Sequence, residues 1–104
     1  MIELLALPGW DAPPRTLDDW AAQLAAQGAP ARIVREAAGA TWLEVAALRL
    51  RGFAVIEGPH VSAINFELAA PDPGPATQAI ETAARALGWE VHPDEPDDEG
   101  DDDD

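Results

Sequence analysis

The chain has 104 residues, 47% of them hydrophobic, and a formal net charge of −14, which bounds it to one domain around a single core. It has no cysteine, so disulfides, thiolate catalysis and cysteine-ligated metals are excluded. Nine acids fall in residues 94–104, leaving eleven acids against six arginines, or −5, for residues 1–93. A surface of that sign disfavours nucleic acid and anionic membranes, which are bound by displacing counterions with a basic face, and it suits a basic protein partner.

Ile2, Leu4, Leu5 and Leu7 predict a short first strand, ended by Pro8-Gly9. The leading residues have no basic segment of the kind that opens a signal peptide, and no apolar run approaches the ~20 residues of a membrane span, so a cytoplasmic protein is expected. A Pro-rich loop follows from Trp10 to Arg15, and an indole that large is expected to fold back over the core.

Thr16-Leu-Asp-Asp19 has the pattern of a capping box with Asp in the usual Glu place, and Leu17, Trp20, Ala21, Leu24 and Ala25 recur at helical spacing behind it. With Gly28 and Pro30 as stop signals, the helix is predicted over 17–27. Residues 31–37, where Ile33 and Val34 stand between arginines, predict a half-buried strand. A turn at 38–40 leads to its return from Thr41, with Leu43 and Val45 on one face and Trp42 and Glu44 on the other.

Apolar parity then switches from odd positions to Leu48 and Leu50, which calls for a bulge, bend or short connection near 46–48. The clearest pattern is a hairpin over 49–68 with its turn at Gly58-Pro59. It places Leu50, Ala54, Ile56, Ile64, Phe66 and Leu68 on one face, and it sets Arg51 opposite Glu67 and Phe53 opposite Asn65. Pro71 to Pro75 launch a second helix whose apolar stripe is Ala76, Ala79, Ile80, Ala83, Ala84 and Leu87. Gly88 ends it, and Trp89 to His92 form a last strand.

The order β-α-β-β-β-β-α-β predicts an α+β two-layer sandwich, a mainly antiparallel sheet with two helices on one face, over residues 1–93. Residues 94–104 form an acidic tail of a composition that cannot build a core and is expected to be disordered. Its acids either keep the chain soluble or act as a polyanion, for a basic partner or for the chain's own Arg32, Arg35, Arg49 and Arg51.

No catalytic, cofactor-binding or metal site is expected. His60 and His92 stand alone beside prolines, Asp18, Asp19 and Asp72 have the positions of helix caps, and Ser62 has no nucleophile motif around it. With both helices on one side, the other sheet face would carry Trp42, Arg49, Arg51, Phe53, Val55, Ala63 and Asn65. An apolar patch edged with arginine is the usual composition of a protein-binding surface. The expected function is a non-enzymatic interaction module that forms a homodimer or binds a partner through this face. The alternatives are an acidic decoy, nucleic-acid mimic or chaperone that occupies a basic protein, and a small enzyme without a local motif.

Overall fold

The computed structural model describes residues 2–93. The acidic run 94–104, expected to be disordered, lies outside the described residues. Six strands, β1 (Ile2–Pro8), β2 (Arg32–Arg35), β3 (Thr41–Val45), β4 (Leu50–Glu57), β5 (His60–Leu68) and β6 (Trp89–Pro93), alternate with α1 (Leu17–Ala26) and α2 (Gly74–Leu87). The result is the α+β sandwich that the sequence predicts. All pairings are antiparallel, and the sheet order is β2-β3-β4-β5-β1-β6. β1 and β2 therefore run parallel to each other, as do β5 and β6, and each helix is a crossover between two parallel strands.

Local chemistry accounts for the helix limits. The Thr16 hydroxyl accepts the Asp19 amide at 3.2 Å while the Asp19 carboxylate accepts the Thr16 amide at 2.9 Å, a reciprocal cap worth about 1 kcal/mol. Asp72 accepts the Gly74 amide at 3.1 Å ahead of α2, and Pro75 sits in the first turn, where a missing N–H costs nothing. Gly88 closes α2 at φ 80°, donating its amide to the carbonyls of Ala84 and Arg85. Among the described residues no helix is long and apolar enough to cross a membrane.

The core lies between the sheet and the helices. All six residues of the α2 stripe are buried, as are Leu17, Trp20 and Leu24 of α1, and they meet Leu4, Ala6, Leu43, Val45, Leu50, Ala54, Ile64, Phe66 and Leu68 from the sheet. Trp20 is wholly buried, with its ring 5.5 Å from Phe66 and 5.3 Å, edge-on, from Trp89.

Gly52 shows how closely this layer is filled. A Cβ there would stand 2.6 Å from Ile64 Cγ2 and 2.8 Å from two atoms of the Phe66 ring. Gly52→Val is expected to cost about 3 kcal/mol, because buried β-branched and aromatic neighbours cannot swing away. A lower urea midpoint with an unchanged slope is the expected readout, and an unchanged midpoint would contradict the packing described.

Three expectations need correction. Trp10 does not cover the core; it is 96% exposed, because Gly9 is tied to the Gly88 carbonyl at 2.9 Å and the Pro-rich loop runs on without bringing the indole back. Ile56 lies on the core side of β4 but at the hairpin tip, beside the first turn of α1, and is 43% exposed. Val61 is buried in its stead. A bulge explains the exchange: Val55 pairs with Ala63 and Ile56 with Val61, so Ser62 is the extra residue, its hydroxyl donating to the Val55 carbonyl at 3.2 Å. One inserted residue turns an odd-numbered side chain inward.

The third correction concerns Arg49. The parity switch is a 3-10 turn, Ala46–Leu48, and Arg49 caps it in the left-handed region at φ 51°. The ladder begins at Leu50, so Arg49 stands ahead of the strand, not within it.

Candidate functional site

The sheet face opposite the helices is built from three cross-strand rows. The first runs Arg32, Glu44, Arg51, Glu67, Glu3 across β2, β3, β4, β5 and β1. The second runs Val34, Trp42, Phe53, Asn65, Leu5 and, on β6, His92. In the third, Val55 stands opposite Ala63 and Leu7 opposite Glu90. A strip of apolar side chains thus crosses the sheet beside a strip in which basic and acidic residues alternate over four strands.

Side-chain geometry joins the two strips. Trp42 and Phe53 meet edge to face, with centroids 5.2 Å apart and planes at 66°, a pair worth about 0.5–1.5 kcal/mol. The Arg51 guanidinium lies 4.1 Å from the Trp42 ring centre, a cation–π contact that holds the guanidinium on the aromatic strip. Arg32 and Glu44 form an ion pair at 3.3 Å, with the arginine side chain 79% exposed. Phe53 and Val55 are 38% and 42% exposed, while Trp42, Val34, Leu5, Leu7, Ala63 and Asn65 are half-buried. The Trp42 indole nitrogen and the Asn65 side-chain oxygen are buried without hydrogen-bond partners.

Of the residues that the sequence singles out, Trp42, Arg51, Phe53, Val55, Ala63 and Asn65 are brought together on this face. Arg49, ahead of β4, stands at the β3–β4 end, where it lines a shallow cleft of about 320 Å³ with Glu44, Arg51 and Ala69. Sequence reasoning placed Glu44 with Trp42 but missed Val34, Leu5, Leu7 and Glu3. The presence of Glu3, Leu5 and Leu7 here depends on β1 lying between β5 and β6, which no local pattern encodes, while Val34 follows from its pairing with Trp42.

Other concave surfaces offer less. A cleft of about 350 Å³ beside the start of α1 is lined by Thr16, Asp18, Arg35 and Ile56 among others. The capping box already occupies the amides of Thr16 and Asp19, and Asp18 adds a negative charge where an anion would have to sit. Among the described residues no three His, Asp or Glu side chains are grouped to hold a metal ion. His92 faces Glu90 at 3.2 Å on an exposed strand, and His60 pairs with Glu57 at the hairpin tip.

No family model, curated protein or solved structure matches this chain. The reading of its function rests on the face itself.

Proposed function

We propose that this chain is a protein-interaction module, non-enzymatic, that self-associates through the sheet face opposite its helices. The observation that carries the proposal is the strip of Val34, Trp42, Phe53, Asn65 and Leu5 lying open beside a row of alternating charge. Trp and Arg are the side chains most often found to anchor interfaces, and here a guanidinium is already stacked on the indole, so little conformational freedom is left to lose on binding.

The sheet edges favour the face over edge pairing. The β2 edge is four residues long and bracketed by Arg32 and Arg35, and the β6 edge ends in Pro93, which has no donor to offer. Short, charged or proline-bearing edges resist strand addition.

The proposal is tested by recording backbone amide NMR spectra over a dilution series at about 0.15 M salt, where screening confines repulsion between acidic copies to ~8 Å. Concentration-dependent shifts are expected at Val34, Trp42, Phe53, Val55 and Asn65 and not along the exposed side of α2. Shifts confined to the helices, or no shifts at any concentration, would reject it.

A further inference from the structure

Building on that reading, we infer that two copies pack face to face about a two-fold axis that runs along the strand direction between β3 and β4, with Trp42 of each copy against Phe53 of the other. The charges of the first row, whose sign alternates from β2 to β5, select that axis as the one that opposes unlike charges over the most strands.

A two-fold axis in the plane of the interface can lie along the strands or across them. Lying across them, through the apolar strip, it would set Arg51 of one copy against Val55 of the other and bury the charged row on apolar side chains, an expensive arrangement. Lying along them, it reverses the strand order, so each row meets itself backwards. Centred on β3, it opposes Glu44 with Glu44 and Arg32 with Arg51. Centred on β4, it opposes Arg51 with Arg51 and Glu44 with Glu67. Between β4 and β5 it opposes Glu44 with Glu3.

Between β3 and β4, every opposed pair over the four strands β2 to β5 has opposite signs. Glu44 meets Arg51, Arg51 meets Glu44, Arg32 meets Glu67 and Glu67 meets Arg32, in the order set by the observed pairings. Facing sheets lie about 10 Å apart, a gap that an extended Arg and Glu close together. The same axis brings Trp42 and Phe53 to its centre in both directions, where an interface is driest and anchors are strongest. A sheet-on-sheet angle of about 30° displaces the outer strands more than the inner ones, so β3 and β4 keep their opposition.

The overlap is small. Four strands about 4.8 Å apart and three rows about 6.7 Å apart give a footprint of roughly 400 Å² on each copy, half the ~800 Å² of a standard interface. The dimer is therefore reversible, with dissociation in the micromolar range or weaker.

A charge exchange tests the axis. Glu44→Arg and Arg51→Glu are made separately in the full chain, melting curves establish that each is folded, and association is read by native mass spectrometry alone and in an equimolar mixture. Each variant alone places like charges opposite each other twice, and its self-association is expected to weaken by roughly tenfold or more. The mixture restores opposite signs at both positions, so a dimer with one copy of each is expected to dominate. Arg32→Glu mixed with Glu67→Arg gives the same result through the outer strands, should either inner variant fold poorly.

If Glu44→Arg alone associates more tightly than the unaltered chain, the axis lies on β4, with Glu67 opposite, or between β4 and β5, with Glu3 opposite, and the inference is overturned. It is also overturned if the mixtures associate no better than their components while Phe53→Glu abolishes the dimer; in that case the face stands and the register falls. An unaltered chain that never self-associates rejects both the face and the axis.

Discussion

Trp20→Ala is expected to destabilise the fold by about 3–5 kcal/mol, against the 5–15 kcal/mol typical of a whole domain. Trp20 is the largest wholly buried side chain, and it joins three elements: it comes from α1 and its ring contacts Phe66 of β5 and Trp89 of β6. Removing it leaves a cavity walled by a strand on one side and by an edge strand on the other. The α2 residues that face the core are alanines apart from Ile80 and Leu87, which are already buried. Urea unfolding followed by circular dichroism should show the midpoint fall by about a fifth or more at an unchanged slope, down to no folded baseline at the low end of that stability range.

Trp20→Phe separates packing from polarity. The Trp20 indole nitrogen is buried without a partner, and a buried donor left unpaired costs free energy. Phenylalanine keeps most of the ring contact and removes that donor, so a loss below about 1.5 kcal/mol is expected. A Phe variant as unstable as the Ala variant would mean that Trp20 is held by something other than its apolar contacts.

Phe53→Glu is expected to act in the opposite way, sparing the fold and removing self-association. Phe53 is 38% exposed and contributes to the monomer mainly through its contact with Trp42, so the stability loss should be about 1 kcal/mol. In a two-fold dimer the change is made twice at the centre of the contact, each time replacing an aromatic anchor by a carboxylate. Anchors of that kind are worth at least about 2 kcal/mol each, which over the two copies gives a dissociation constant raised by roughly a thousandfold or more.

Much of the fold could be read from local chemistry. The capping box at Thr16 and Asp19, the stripe from Ala76 to Leu87 and the stop at Gly88 each depend on residues within a few turns of one another, and each appears where the pattern put it. The opposition of Arg51 to Glu67 also followed, because a hairpin turn at Gly58-Pro59 sets the register of both strands.

What failed was non-local or hinged on a single backbone distortion. The bulge at Ser62 depends on one extra residue that no composition marks, and it decided the fates of Ile56 and Val61. Arg49 continues the odd-numbered alternation of Arg51, Phe53 and Val55, but its left-handed backbone places it in the cap of the 3-10 turn, ahead of the ladder. Trp10 was expected to be covered because indoles usually are, yet what decides its place is the tether of Gly9 to Gly88.

Half of the candidate surface was legible in the same sense. Trp42, Arg51, Phe53 and Val55 share a face by alternation alone. The alternating charge row that selects one dimer axis needs, beyond the two hairpins that the sequence predicts, the pairing of β3 with β4 across the 3-10 turn.

Sedimentation equilibrium of the unaltered chain beside Phe53→Glu, at about 0.15 M salt and over a wide range of loading concentrations, tests the proposed surface most directly. The unaltered chain should move from its monomer mass of 11.0 kDa toward twice that value as concentration rises, while Phe53→Glu stays at the monomer mass and melts within a few degrees of the unaltered protein. Two monomers, or two dimers of equal strength, would contradict the assignment of this sheet face as the contact surface.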